Sequence, residues 1–135
     1  GRFHHLEGVG INPRPRGLIP IYMGTGGSDA ALRRVARKAD GWMPLLLPGL
    51  DPVDFPSAAN RLRELCADEG RDPATMPIHG RVYLADGWQH VVEEALVVGV
   101  ESLSVGFPRL AQKADHAQHL GAIIDAKSEI DRLIG

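Results

Sequence analysis

The 135-residue sequence is short of cysteine: Cys66 is the only one, so no disulfide can close within it. Cys66 follows Leu62 and Leu65 at helical spacing, where a thiol acts as a small buried hydrophobe. Aromatic residues are scarce at 5%, which beside 44% apolar residues is ordinary for a soluble α/β protein with one real core. Neither sign of charge dominates. Fifteen basic and 17 acidic residues leave a net charge of −2, spread along the chain. That distribution gives no electrostatic footprint for nucleic acid or an acidic membrane, and Arg14-Pro15-Arg16 reads as a solvated loop. No apolar run approaches the roughly 18 residues of a bilayer span, and no signal-peptide pattern opens the sequence, so a cytoplasmic setting is expected. Metal ligands are also wanting. The His4-His5 pair has diverging side chains and no carboxylate or cysteine at a ligand spacing, so no metal is expected. The chain opens on Gly1 without a starting strand, as an interior cut of a longer protein would.

What is present centres on Leu18-Ile-Pro-Ile-Tyr-Met-Gly-Thr-Gly-Gly-Ser-Asp29, a strand-like run meeting a glycine-rich turn before a helical pattern. Bare backbone at Gly24, Gly26 and Gly27 lets a ligand approach closely and permits positive φ, so that successive N–H groups converge on an anion. Ser28 can cap the following helix or turn its hydroxyl to a phosphate. The same pattern also suits a tight turn that binds nothing. Two familiar phosphate loops fail by spelling. A dinucleotide fingerprint needs glycine where Asp29 stands, and a P-loop needs a closing lysine, whereas none follows until Lys38.

Residues 1–17 read as a lead-in loop in which Phe3, Leu6 and Val9 pack weakly. Strand and helix patterns then alternate four times over residues 18–135. A strand at 19–23 precedes a helix at 29–39 with Leu32, Val35, Ala36 and Ala39 inward and a basic outer face. A second strand at 42–47 should stop or bulge at Pro44. A proline-rich loop through Pro48, Gly49, Pro52 and Pro56 leads to a helix from about Ser57 to Glu69, with Gly70 as its stop. The third strand, 78–84, alternates Ile78, Gly80, Val82 and Leu84 with His79, Arg81 and Tyr83; in a closed barrel the polar set would face the lumen, otherwise neighbouring loops cap it. A helix at 88–98 stops at Gly99. The fourth strand, 102–107, ends at Pro108-Arg109, and a last helical region re-caps at Ser128.

Four consecutive βα units imply parallel strands with right-handed crossovers. A full (β/α)8 barrel takes about 250 residues, so four units here make half of a TIM-type barrel; a small open sheet fits the same pattern. Two exposed edges would drive a half-barrel to pair with another half.

Ile19 to Ser28, Ala30-Ala-Leu-Arg-Arg34, Ala39-Asp-Gly-Trp42, Gly70-Arg-Asp-Pro73 and the ending Leu103-Ser-Val-Gly-Phe107 together resemble the carboxyl-terminal half of the luciferase-like monooxygenases. Within them the chain is most similar to the deazaflavin-dependent oxidoreductases that use coenzyme F-420. The resemblance implies a (β/α)8 barrel whose first four units are not in this sequence, with coenzyme F-420 or FMN at the strand carboxyl ends. It assigns the cofactor's phosphate-bearing tail to Gly24, Thr25, Gly26, Gly27 and Ser28, and puts Trp42 and Met43, with Pro44, along the cavity. Some deazaflavin relatives carry threonine and lysine a little further on, where this chain has Leu45, Leu46, Leu47 and Pro48.

The implied function is oxidation or reduction of a small-molecule substrate, the cofactor carrying the hydride chemistry. No catalytic residue is assigned; His79 and Asp86 are the candidates for proton transfer. The implied partner is an amino-terminal half-barrel or a second copy. The reading from another class is a catalytically silent half-barrel acting as an anion-binding or assembly module.

Overall fold

A computed structural model describes residues 2–5, 7–8, 10, 13–47, 54–107 and 115–135. Leu6, Val9, Pro48, Gly49, Pro52 and Pro108-Arg109 lie outside the described residues.

The described residues form a mixed α/β structure with parallel strands and four helices. The first strand, β1 (Tyr22–Met23), is followed by α1 (Asp29–Lys38) and β2 (Gly41–Trp42). Then come β3 (Leu45–Leu46), α2 (Phe55–Asp68), a 3-10 turn (Pro73–Thr75), β4 (His79–Tyr83), α3 (Trp88–Val98), β5 (Ser102–Gly106) and α4 (His116–Ile134). β1 pairs with β2, and β3, β4 and β5 form a three-stranded sheet, all parallel. A bridge between Trp42 and Ile78 joins the two sheets.

Pro44 explains the division. Trp42 N–H donates to the Pro77 carbonyl on one side at 3.0 Å and Met43 N–H to the Met23 carbonyl on the other at 3.0 Å. Pro44 has no N–H to continue the ladder, while its carbonyl still accepts from Arg81 N–H at 3.0 Å. One expected strand thus becomes two short ones in register with different neighbours.

The helices pack in series, α1 on α2, α2 on α3 and α3 on α4. Leu32, Val35, Ala36, Trp42, Leu62, Leu65, Cys66 and Ile78 form one buried cluster, and Leu46, Val82, Val91, Val92 and Ala95 a second. Burial pushes the Cys66 thiol pKa upward, against a smaller downward pull from Arg71. Two arginines close helix carboxyl ends across elements. Arg71 donates to the Ala36 and Ala39 carbonyls at 2.6 and 2.8 Å, and Arg63 to the Val98 carbonyl at 2.6 Å.

Several boundaries differ from the sequence reading. β1 is shorter than 19–23 because Pro20 lacks a donor and residues 18–21 run along an open edge; Ile21 N–H is taken instead by the Asp40 carboxylate at 2.8 Å. α2 starts before Ser57, since Asp54 is its N-cap and accepts from Ser57 N–H at 2.9 Å. α4 is one helix: Asp115 and Gln118 form a capping box, and the Ser128 hydroxyl donates back to the Ile124 carbonyl at 3.0 Å rather than restarting the helix. Gly70 does stop α2, with φ +71°. Among the described residues no helix is long and apolar enough to cross a membrane.

Gly80 lies where β4 faces the core, and a Cβ there would fall 2.6 Å from Leu103 Cδ2 and 2.7 Å from Leu46 Cδ1. Gly80→Ala is therefore expected to destabilise the chain by about 1–3 kcal/mol through forced repacking, read by urea unfolding. An unchanged midpoint would show that the two leucines move freely.

Candidate functional site

The strand parity sorts side chains between two environments. On β4, Gly80 and Val82 are buried, whereas His79 and Tyr83 are half-buried and Arg81 is exposed. His79, Arg81 and Tyr83 lie in register with Ser102, Ser104 and Gly106 of β5, and Arg81 also with Leu45 of β3. The His79 Nδ1 and Ser102 Oγ are 2.5 Å apart, and Tyr22 meets the His79 ring edge-on at 6.5 Å. The sheet face away from the helices thus carries the polar and aromatic set.

At the carboxyl ends of the strands this face opens into a cavity of about 440 Å3 lined by Gly24, Thr25, Gly26, Met43, Pro44, Leu45, Arg81 and Tyr83. Such a volume is in the range of small-molecule sites. Its walls are apolar apart from the loop backbone, Thr25, the Tyr83 hydroxyl and one cation, Arg81. The guanidinium carbon stands 5.4 Å from the centre of the Tyr83 ring.

Of the residues expected at the site, Gly24, Thr25, Gly26 and Met43 come together on this cavity. Gly27 is buried behind it and Ser28 is exposed at the start of α1. The Ser28 hydroxyl makes no capping bond; its carbonyl accepts from Ala31 and Leu32 N–H at 2.9 Å each. Trp42 is placed elsewhere. It is 1% exposed within the helix-side core, tilted against Phe55 at 5.8 Å, and its indole N–H donates to the Thr25 carbonyl at 3.1 Å. It braces the loop from behind rather than lining the cavity.

The backbone expectation for the glycines also needs correction. The described glycines with positive φ are Gly8, Gly70, Gly87, Gly99 and Gly135, so left-handed backbone is not what Gly24, Gly26 and Gly27 supply. At Gly24 a Cβ would meet Met43 O at 3.7 Å and Met43 Cε at 3.8 Å, ordinary contact distances. Packing within the chain therefore tolerates a side chain at 24, and the bare backbone serves to keep the cavity open.

Asp29, the first residue of α1, would repel an anion if left alone. Its carboxylate accepts from Arg61 and Arg33 at 2.7 Å each, and these bonds, Arg61's first, hold its pKa below the usual 3.8. Arg61 also donates to Glu64 at 2.7 Å, which with Asp29 raises its own pKa. Arg81 and Tyr83 were visible in the β4 alternation, but only the register with Leu45 shows that they share the loop's cavity. A second hollow of about 540 Å3 between α3 and α4 includes Arg132, which is already paired with Glu129 at 2.7 Å. Among the described residues no three metal-ligating side chains gather. His5, half of the histidine pair, bonds Glu7 at 3.0 Å.

Comparison with known proteins adds a family to this geometry. The luciferase-like monooxygenase family model matches residues 1–133, and the chain belongs to that family. It is 36% identical over 108 residues to an uncharacterized protein of Mycobacterium tuberculosis, covering 79% of this chain and 35% of that protein. It is 31% identical over 109 residues to a phthiodiolone/phenolphthiodiolone dimycocerosates ketoreductase of Mycobacterium kansasii, covering 79% of this chain and 29% of the relative. The ketoreductase of the same name in M. tuberculosis is 30% identical over 121 residues, or 87% of this chain and 31% of that one. The chain thus spans about a third of the length of the relatives it matches.

Two outcomes follow. Trp42→Phe removes the donor to the Thr25 carbonyl and should cost about 1–3 kcal/mol, with faster amide exchange at Gly24 to Gly27; unchanged exchange would show that the indole does not hold the loop. Asp29→Asn should lower the thermal midpoint near neutral pH. Because the folded pKa of Asp29 is depressed, the stability it contributes is present above pH 3.8 and is lost as pH falls through the lower folded value, so the two proteins should converge in acid. A constant gap down to that range would contradict the assignment.

Proposed function

We propose that this chain forms the carboxyl-terminal half of a (β/α)8 barrel, a unit of four βα modules over residues 18–135, in a flavin- or deazaflavin-dependent oxidoreductase of the luciferase-like family. The observation that carries the reading is the cavity at the strand carboxyl ends, where a glycine loop and an arginine share one opening. Family membership and the single-file packing of the helices support it. The relatives named as ketoreductases favour a carbonyl carbon as the reacting centre of a small organic substrate.

The residues present fit coenzyme F-420 or FMN. Gly24 leaves space that a Cβ would fill, and Ser28 keeps its hydroxyl out of the helix cap. The Asp29 charge is neutralised by two arginines beside the place a phosphate would occupy. Gly24, Thr25, Gly26, Gly27 and Ser28 would hold the phosphate-bearing tail, helped by the start of α1. Met43 and Leu45 would exclude water from one wall, and Trp42 would fix the loop. When bound, the flavin or deazaflavin supplies hydride transfer. His79, bonded to Ser102, stands at the amino end of β4 and does not line this cavity, so no residue is assigned to proton transfer. The remaining barrel wall would come from an amino-terminal half-barrel or a second copy. This would also cover Leu18, Ile19 and Ile21 at one edge and the exposed stripe Leu120, Ile123 and Ile124 on α4 at the other.

The test is a fluorescence titration of the chain with coenzyme F-420 and with FMN. Saturable quenching by one of them is expected, weakened about tenfold by Gly24→Ala with no loss of thermal stability, since the chain itself accommodates that methyl. Absence of quenching by both cofactors would leave the silent anion-binding or assembly module.

A further inference from the structure

We propose that Arg81 is the anion-recognising residue of the cavity, pairing bidentately with a phosphate or carboxylate group on what binds there. The assignment takes the cavity of the preceding section as the ligand site and adds the charge that selects its occupant.

Arg81 differs from the arginines that fasten the chain, and unlike Arg2, Arg14, Arg16 and Arg34, which among the described residues also bond no carboxylate or carbonyl, it lines the cavity. Arg33 and Arg61 bond Asp29, Arg37 bonds Glu69 at 2.6 Å, and Arg63 and Arg71 bond helix carbonyls. Each of these ties one part of the chain to another. Among the described residues Arg81 has no carboxylate or carbonyl partner, only the face of Tyr83. Its neighbours across the sheet are Leu45 on one side and Ser104 on the other, where an acid would be expected if the charge served the sheet itself. The ring of Tyr83 restrains the guanidinium and leaves its donor edge free, which lowers the ordering cost of binding an oxyanion. The other walls are Met43, Pro44, Leu45 and loop backbone, so no carboxylate lining the cavity competes for it. A planar fork of donors in an apolar-walled hollow is suited to two oxygens of one anionic group.

The anion has two possible sources, the tail of the cofactor or a substituent of the substrate. Both are reached by titrating the 135-residue chain with inorganic phosphate while following the Arg81 side-chain N–H signal by NMR and the binding isotherm by calorimetry. Phosphate should shift that signal. Arg81→Gln should weaken phosphate binding at least about tenfold, and Arg81→Lys, which keeps the charge without the fork, by a few-fold. Circular dichroism should show that both variants keep the fold. If FMN or coenzyme F-420 displaces the phosphate while riboflavin leaves it bound, the anion is the cofactor's. Phosphate and cofactor bound together assign it to the substrate. An unmoved Arg81 signal, or an Arg81→Gln variant that binds phosphate as well as the parent, overturns the proposal. Phosphate binding at Arg81 without binding of either cofactor would instead sink the flavin reading and leave the anion site standing.

Discussion

The bond from the Trp42 indole to the Thr25 carbonyl ties the glycine loop to the helix-side core. Trp42 belongs to the core under α1 and α2, yet its one polar atom reaches the loop at the end of β1. A buried indole N–H needs a partner, and only a loop that curls back over the strand end supplies one. The position of Gly24 to Gly27 is thus set from behind by the hydrophobic core. A loop held this way keeps its open side unencumbered.

Residues that carried the family resemblance turn out to be fasteners of the same kind. Asp40 takes the Ile21 N–H at 2.8 Å and its own N–H bonds the Ile21 carbonyl at 2.8 Å, pinning the entry to β1. Arg71 closes the carboxyl end of α1, and Asp72 starts the 3-10 turn by accepting from Ala74 N–H at 2.9 Å. Asp-Gly-Trp and Gly-Arg-Asp-Pro therefore mark how the chain is held. Among the described residues, the cation that lines the cavity, Arg81, comes from outside both.

Periodicity made the alternation of strands and helices legible, together with the break at Pro44 and the two faces of β4. Those features follow from local covalent facts, a missing N–H or a period of two. What the sequence hid depended on partners far along the chain. β1 starts late because Pro20 lacks a donor and the Ile21 N–H is taken by the Asp40 carboxylate, and α4 runs through Ser128 because its hydroxyl finds a carbonyl within its own helix. The start of α2 was legible in principle, since Asp54 stands three residues before Ser57 as a capping aspartate does. Family-level likeness was legible too, because the fasteners are spelled out in short runs.

Parity also decides which candidate residues share the cavity. Trp42 and Met43 are consecutive in an extended segment, so their side chains leave on opposite faces and cannot both line one hollow. Leu46 shares the phase of Trp42 and is 3% exposed, whereas Leu45 shares that of Met43 and is 41% exposed. The same count on β4 sends Val82 inward and Arg81 outward, toward Leu45. A one-residue slip of β4 would bury a guanidinium among Leu46 and Val92 and expel Val82, a cost no loop adjustment could offset. The register that protects the core is therefore the same register that delivers Arg81 to the glycine loop.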